Sequence, residues 1–362
     1  MTNIDPPDSV AEGQKTKFRG LYGKCIQNKL ERFREGPKRE NLRGQIDRQR
    51  QHRKLISYSI FPFEQGQPAG YKFIKAEPLE ELGVPNFDFL LWNLDGSVIF
   101  GEAKSSIPSN ATSVVNQLKK RREVVEEHVE YIEEEYLGDE IDHMEFVLST
   151  YVQHGDKMAR EIAEEGAKFI TWVVDSHSDT MWIRQARPTE FPDNLGAEEP
   201  DEMLQELDRR HSHSVGSLNG ELDRITTSFG LADILPTSVI VDRLRVVVQS
   251  RRVVERYPCV DRQDIEEYVS DSALNYTEER VSEMVDDLIE AGKRIDFLAE
   301  WDDERAEFKL VTNYTDKDDL ETVLERKWVD WRIDEMKDEL REECEEKVEN
   351  KLGKQKELSE FV

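Results

Sequence analysis

No run of about 18 apolar residues occurs in the chain, so no segment reads as a membrane-crossing helix, and no apolar core of a secretory signal is present. The first fourteen residues contain Asp5, Asp8 and Glu12, a poor fit to a mitochondrial-type transit peptide. Cysteine is scarce. Cys25, Cys259 and Cys344 are far apart and lack Cys-x-x-Cys spacing, which predicts reduced thiols in a cytoplasmic protein. His211-Ser212-His213 has no third ligand nearby in sequence, so a zinc site is not expected there. Positive charge is also in deficit, with 50 Lys and Arg against 78 Asp and Glu and a net charge of −28. Acidity spread this evenly is expected of a salt-adapted (halophilic) protein, whose carboxylates keep its surface hydrated, and it disfavours casual contact with other polyanions.

One segment breaks that pattern. Residues 15–54 hold fourteen Lys and Arg against four acids, with Phe18, Tyr22 and Phe33 interspersed. Such a stretch can neutralise phosphates along a nucleic acid. Arg32, Arg34, Lys38, Arg39, Arg43, Arg48, Arg50, Arg53 and Lys54 are the expected contacts. The plainer alternative is a basic helix that pairs with the acidic remainder of the chain.

The most informative local feature is a pair of short apolar runs. Asn86-Phe87-Asp88-Phe89-Leu90-Leu91-Trp92 and Ser97-Val98-Ile99-Phe100-Gly101-Glu102-Ala103-Lys104 flank Asn93-Leu94-Asp95-Gly96. Asp-Gly between β-rich runs signals a hairpin. Closing it brings Asp88 near the far end of the second strand, so two carboxylates and an ammonium meet. Charges at the end of a run that should be buried are costly unless they are partnered or bind something.

This arrangement resembles the PD-(D/E)xK nucleases, the restriction-endonuclease-like superfamily. Here Asp88 is followed after thirteen residues by Glu102-Ala103-Lys104, although Pro85 is not adjacent to the Asp. The resemblance covers about residues 40 to 185. It implies that Asp88, Glu102 and the Ala103 carbonyl hold Mg²⁺ or Mn²⁺ and that Lys104 is catalytic. It also implies a further acid from a preceding helix, with Glu40 the candidate and Glu64, Glu77, Glu80 and Glu81 the alternatives. Exonuclease relatives carry Gln-x-x-x-Tyr on the next helix; Gln117 matches its first position but residue 121 is Arg. The triplet by itself is weak, since Glu-x-Lys recurs at 307–309, 325–327, 335–337, 345–347 and 349–351. Only 307–309 ends a hairpin, with Asp296 upstream, and no strand-helix-strand follows it.

The expected order is a helix at 111–135, a strand at 144–152, a helix at 156–166, a strand at 169–174 and a hairpin partner at 180–183. The expected fold is an α/β restriction-endonuclease-like core, a mixed sheet flanked by helices. An α+β winged-helix-like domain and a long C-terminal helix follow. The divisions are a disordered 1–14, a basic helical arm at 15–56 broken near Gly36-Pro37, the nuclease-like domain at 57–187 and a linker at 188–235. The winged-helix-like domain is placed at 236–313, with helices at 238–256, 261–270 and 277–291 and strands at 294–300 and 305–311. An acidic helix at 316–352 completes the chain.

Residues 277–290 carry six acids and one base, which repels phosphate and makes this module a protein-contact or dimerisation element. Lys293, Arg294, Arg251 and Arg252 are its better DNA contacts. Met336, Leu340, Cys344, Val348 and Leu352 recur every four residues, which predicts a packing seam against the domain or a second subunit. The leading expectation is a metal-dependent nuclease that hydrolyses phosphodiester bonds in DNA, endo- or exonucleolytic action being left open, with DNA as partner and no membrane association. The alternatives are a non-catalytic DNA-associated regulator and a protein-interaction adaptor on a degenerate nuclease fold.

Overall fold

The hairpin turn shows how local chemistry sets the architecture. Asn93 Oδ1 accepts the backbone N–H groups of Asp95 and Ser97 at 3.1 and 3.0 Å. Gly96 takes a left-handed φ of 76°, a conformation that glycine adopts without a Cβ clash. On either side run β2 (Phe89–Trp92) and β3 (Ser97–Lys104), paired antiparallel with Phe89 opposite Gly101 and Trp92 opposite Val98. A computed structural model of the chain describes residues 6–7, 9–65, 68–177, 180–186, 207, 211–212, 259–272, 278–294, 299–310 and 317–360.

The hairpin belongs to a mixed sheet in the order β1 (Lys72–Ala76), β2, β3, β4 (His143–Tyr151), β5 (Ile170–His177), β6 (Thr180–Gln185) and β7 (His211–Ser212). Strands β3, β4 and β5 are parallel, and every other pairing is antiparallel. A parallel neighbour needs a crossover. Helix α3 (Thr112–Glu127), the short α4 (Val129–Ile132) and a π-turn at Glu133–Leu137 connect β3 to β4; α5 (Val152–Glu164) connects β4 to β5. The crossover helix therefore breaks near His128, inside the expected 111–135. Strand β1 was not anticipated from sequence, because Lys72 and Lys75 interrupt its apolar pattern.

Strand alternation divides the core between two faces. Phe89, Leu91, Ile99 and Ala103 pack with Leu55, Ile56, Tyr58, Ile60, Phe61 and Phe63. Those six residues lie on α2 (Glu35–Gln65). Leu90, Val98, Phe100, Phe146 and Leu148 pack on the opposite face with Val114, Val115 and Leu118 of α3 and Met158 and Ile162 of α5. Both faces of β3 are covered, which is why its sequence reads as a continuous apolar run.

The chain divides into two compact units, one of residues 1–45, 294–298 and 312–362 and the other of residues 46–293 and 299–311. The expected boundary between basic arm and nuclease-like domain at 56/57 falls inside α2, because Leu55 to Phe63 are almost all buried against the sheet. The expected break near Gly36-Pro37 falls at residues 33–34. Helix α1 (Lys15–Arg32) ends before Phe33, and Pro37 occupies the first turn of α2, where its missing N–H costs nothing.

The first unit pairs α1 with α8 (Lys317–Glu360). Phe18, Tyr22 and Ile26 pack with Cys344, Val348 and Leu352, so the four-residue stripe is a seam within the chain. Val10 joins that cluster and Ser9 donates to Glu349, which orders part of the segment expected to be disordered. Cys25 and Cys344 form a disulfide with Cα atoms 5.8 Å apart, correcting the expectation of reduced thiols; 319 positions hid their proximity. Cys259 is free.

Residues 259–310 contain a three-stranded antiparallel sheet in the order β8 (Cys259–Asp261), β10 (Glu307–Leu310), β9 (Ala299–Asp302). Two helices, α6 (Arg262–Ser272) and α7 (Glu278–Arg294), lie between its first strand and the hairpin. The expected helix at 238–256, with Arg251 and Arg252, the linker at 188–235 apart from Leu207 and His211-Ser212, and Asp296 lie outside the described residues. Among the described residues no helix is long and apolar enough to cross a membrane.

Candidate active site

Asp88 is held by its own backbone before its side chain does anything. Its N–H donates to the Gly101 carbonyl at 2.9 Å, and its carbonyl accepts the Glu77 N–H at 3.1 Å. The residue is 7% exposed, and its side chain accepts the Ala103 N–H on Oδ2 at 2.6 Å. The hairpin thus puts Asp88 directly against the Glu102-Ala103-Lys104 strand end.

Glu102 is fully buried, at 0% exposure. Its Oε2 accepts from Arg121 Nη1, and its Oε1 forms an ion pair with Lys104. The Lys104 contact is an ion pair that is not aligned as a hydrogen bond. Lys104 is anchored through its own carbonyl, which accepts the Thr150 hydroxyl at 2.8 Å. Glu102 and Lys104 alternate with Ala103, whose methyl group faces the α2 side of the sheet.

Two further groups complete the site. Arg121 comes from α3, and His52 from α2, with His52 Nε2 3.8 Å from Asp88 Oδ1. Burial holds the His52 pKa below its ordinary value. The Asp88 carboxylate opposes that shift, while Lys104, Arg121 and Arg53 reinforce it.

Sequence reasoning missed both residues as members of the site. Arg121 was visible only as a departure from Gln-x-x-x-Tyr; the register of α3 against β3 is what carries it to Glu102. Gln117 is exposed. His52 carried no signal, since it lies inside the basic segment and 36 positions before Asp88.

The structure does not bring Glu40 into this cluster: it is an exposed residue of the first unit, and the side chain that meets Asp88 from α2 is His52. Of the alternatives, Glu81 is engaged by Lys75 and by the Tyr136 hydroxyl, and Glu77 touches Asp88 through its backbone. The side chains of Glu64 and Glu80 lie outside the described set.

The basic segment is divided in its use. Arg39 pairs with Asp330, Lys29 with Glu343, and Lys337 of α8 with Glu35, the last at 2.6 Å. Lys38 lies over the Phe33 ring at 4.0 Å, Lys54 over the Tyr58 ring at 5.5 Å, and Arg53 is buried. Arg50 is half-buried. Arg32, Arg34, Arg43 and Arg48 are exposed and form no ion pair among the described residues.

Two adjacent buried carboxylates, Asp88 and Glu102, fit a hard divalent ion that prefers oxygen ligands and keeps several waters. Among the described residues no three His, Cys, Asp or Glu side chains converge tightly enough to form a dedicated metal cage. At Glu307-Phe308-Lys309, Lys309 is taken by Asp302 across the hairpin. Comparison with protein-family models, with curated proteins and with solved structures gives no match.

Proposed function

We propose that the chain is a metal-dependent nuclease that hydrolyses phosphodiester bonds in DNA, on a core of restriction-endonuclease-like type. One observation carries this reading: the hairpin seats the Asp88 carboxylate on the Ala103 N–H, beside a fully buried Glu102 with Lys104 next to it. Burying these charges is costly unless they are paired or bind something.

Asp88 and Glu102 would hold Mg²⁺ or Mn²⁺. When bound, such an ion lowers the pKa of water and neutralises charge on the phosphate. Lys104, fixed at the end of β3 by its Thr150 contact, presents an ammonium to the charge that grows on the phosphate oxygens. His52 stands beside the Asp88 carboxylate from the α2 side.

The exposed Arg32, Arg34, Arg43 and Arg48 supply backbone contacts to the nucleic acid. The segment at 236–313, read as winged-helix-like, and the acidic α8 serve a protein partner or a second copy of the chain. One observation favours a non-catalytic reading: both Glu102 oxygens already face cations, as in a purely structural ion cluster.

The test is cleavage of circular and linear DNA in high KCl with Mg²⁺, Mn²⁺ or EDTA. Glu102→Gln and Lys104→Ala are run beside the wild type. Metal-dependent cutting abolished by both substitutions supports the proposal. Binding without cutting under either metal transfers the function to a DNA-associated regulator.

A further inference from the structure

Arg121 spends a single N–H group on Glu102, and its other donors have no partner among the described residues. Its side chain keeps 25% of its surface open, whereas the carboxylate it holds has none. A guanidinium offers five donors in a fixed fork that matches a phosphate. The fork here is tethered at one corner and open on the rest.

The charges in the cluster lead to the same place. Asp88 and Glu102 contribute two negative charges; Lys104 and Arg121 contribute two positive ones, with Arg53 close enough to act on His52. The carboxylates are already neutralised. A divalent ion entering alone must compete with two cations for Glu102 and leaves the cluster strongly positive in a buried setting. A phosphodiester arriving with the ion restores the balance.

We propose that Arg121 is the counter-cation that holds Glu102 while no divalent ion is bound and that passes to a phosphate oxygen of the substrate when one is. The ion and the phosphodiester then enter the site as a coupled pair. This rests on the nuclease reading above. No bond is made or broken in the exchange: Glu102 Oε2 changes partner from a guanidinium N–H to the ion, and the freed N–H donates to the phosphate. Coupling of this kind is reciprocal, so the nucleic acid tightens the ion by the same factor by which the ion tightens the nucleic acid.

The experiment is calorimetric titration of Ca²⁺ and of Mn²⁺ into the full chain, with and without a short DNA duplex. It is repeated with Arg121→Gln and Arg121→Lys, and duplex cleavage by the wild type is measured alongside. The wild type is expected to bind the ion weakly alone and roughly tenfold more tightly with duplex. Arg121→Gln should bind the ion alone more tightly than wild type does and lose most of the coupling. Arg121→Lys keeps the charge without the fork, so it should still suppress binding of the ion alone, and it serves as the test variant if Arg121→Gln fails to fold. Equal ion affinity with and without duplex in a wild type that cuts DNA overturns this inference and leaves the nuclease reading standing. Absence of ion binding under both conditions, with no cutting, overturns both.

Discussion

Asp88 Oδ2 accepts the backbone N–H of Ala103 at 2.6 Å, so one carboxylate ties the first strand of the hairpin to the end of the second. The bond has a structural and a chemical side that substitutions separate. Asp88→Asn keeps an acceptor for the Ala103 N–H and should cost little stability while abolishing the proposed metal-dependent cutting. Asp88→Ala leaves a buried N–H unpaired and should cost about 1–3 kcal/mol more. Urea unfolding of the two variants, with cleavage assayed in parallel, checks the separation.

A ligand that binds only the folded protein raises its stability, by about 2.7 kcal/mol at a hundredfold excess over the dissociation constant. Mn²⁺ should therefore raise the melting temperature of the wild type. Glu102→Gln removes the proposed ligand and should abolish the rise. A rise that persists in Glu102→Gln would mean that the ion binds elsewhere.

Gly101 lies opposite Phe89, and a Cβ at position 101 would sit 1.9 Å from the Phe89 ring. The ring occupies the space that a side chain would need, and both residues are next to the site. Gly101→Ala should destabilise the chain by roughly 1–3 kcal/mol or more through overpacking. Phe89→Leu in the same molecule should recover part of that loss in urea unfolding.

The disulfide joins Cys25 and Cys344 and leaves Cys259 free. Thiol titration of the unfolded, unreduced protein should give one thiol per chain, and three after reduction, matching the three cysteines of the sequence. Replacing Cys25 and Cys344 by Ser should lower stability by about 2–5 kcal/mol, because the unfolded chain loses a long closed loop.

Tyr151 donates its hydroxyl to the Gln51 carbonyl at 3.1 Å, and burial raises its pKa. The folded chain keeps a proton that the unfolded chain releases above about pH 10. Its contribution is therefore complete below that pH and falls as pH rises toward the folded value. Tyr136, raised chiefly by burial and further by hydrogen bonds to Tyr131 and Glu81, acts in the same direction. Tyr151→Phe should be about 1 kcal/mol less stable than wild type at pH 7, and the difference should shrink above pH 10 in urea unfolding.

Short-range signals in the sequence determined the hairpin and the meeting of Asp88 with Glu102, Ala103 and Lys104. An Asp-Gly turn and apolar strands on either side fix which residues lie opposite each other, and no distant contact is needed to read them. The α3–β4–α5–β5 succession was legible for the same reason, as was the apolar stripe of α8.

Tertiary structure alone decided the rest. Arg121 reaches Glu102 through the seating of α3 on β3, and His52 reaches Asp88 through the packing of α2 on the opposite face. The Cys25–Cys344 pair depends on the register of α1 against α8, two helices from opposite ends of the chain. Each of these joins segments whose local patterns are independent, and only the packing of the core sets their relative register.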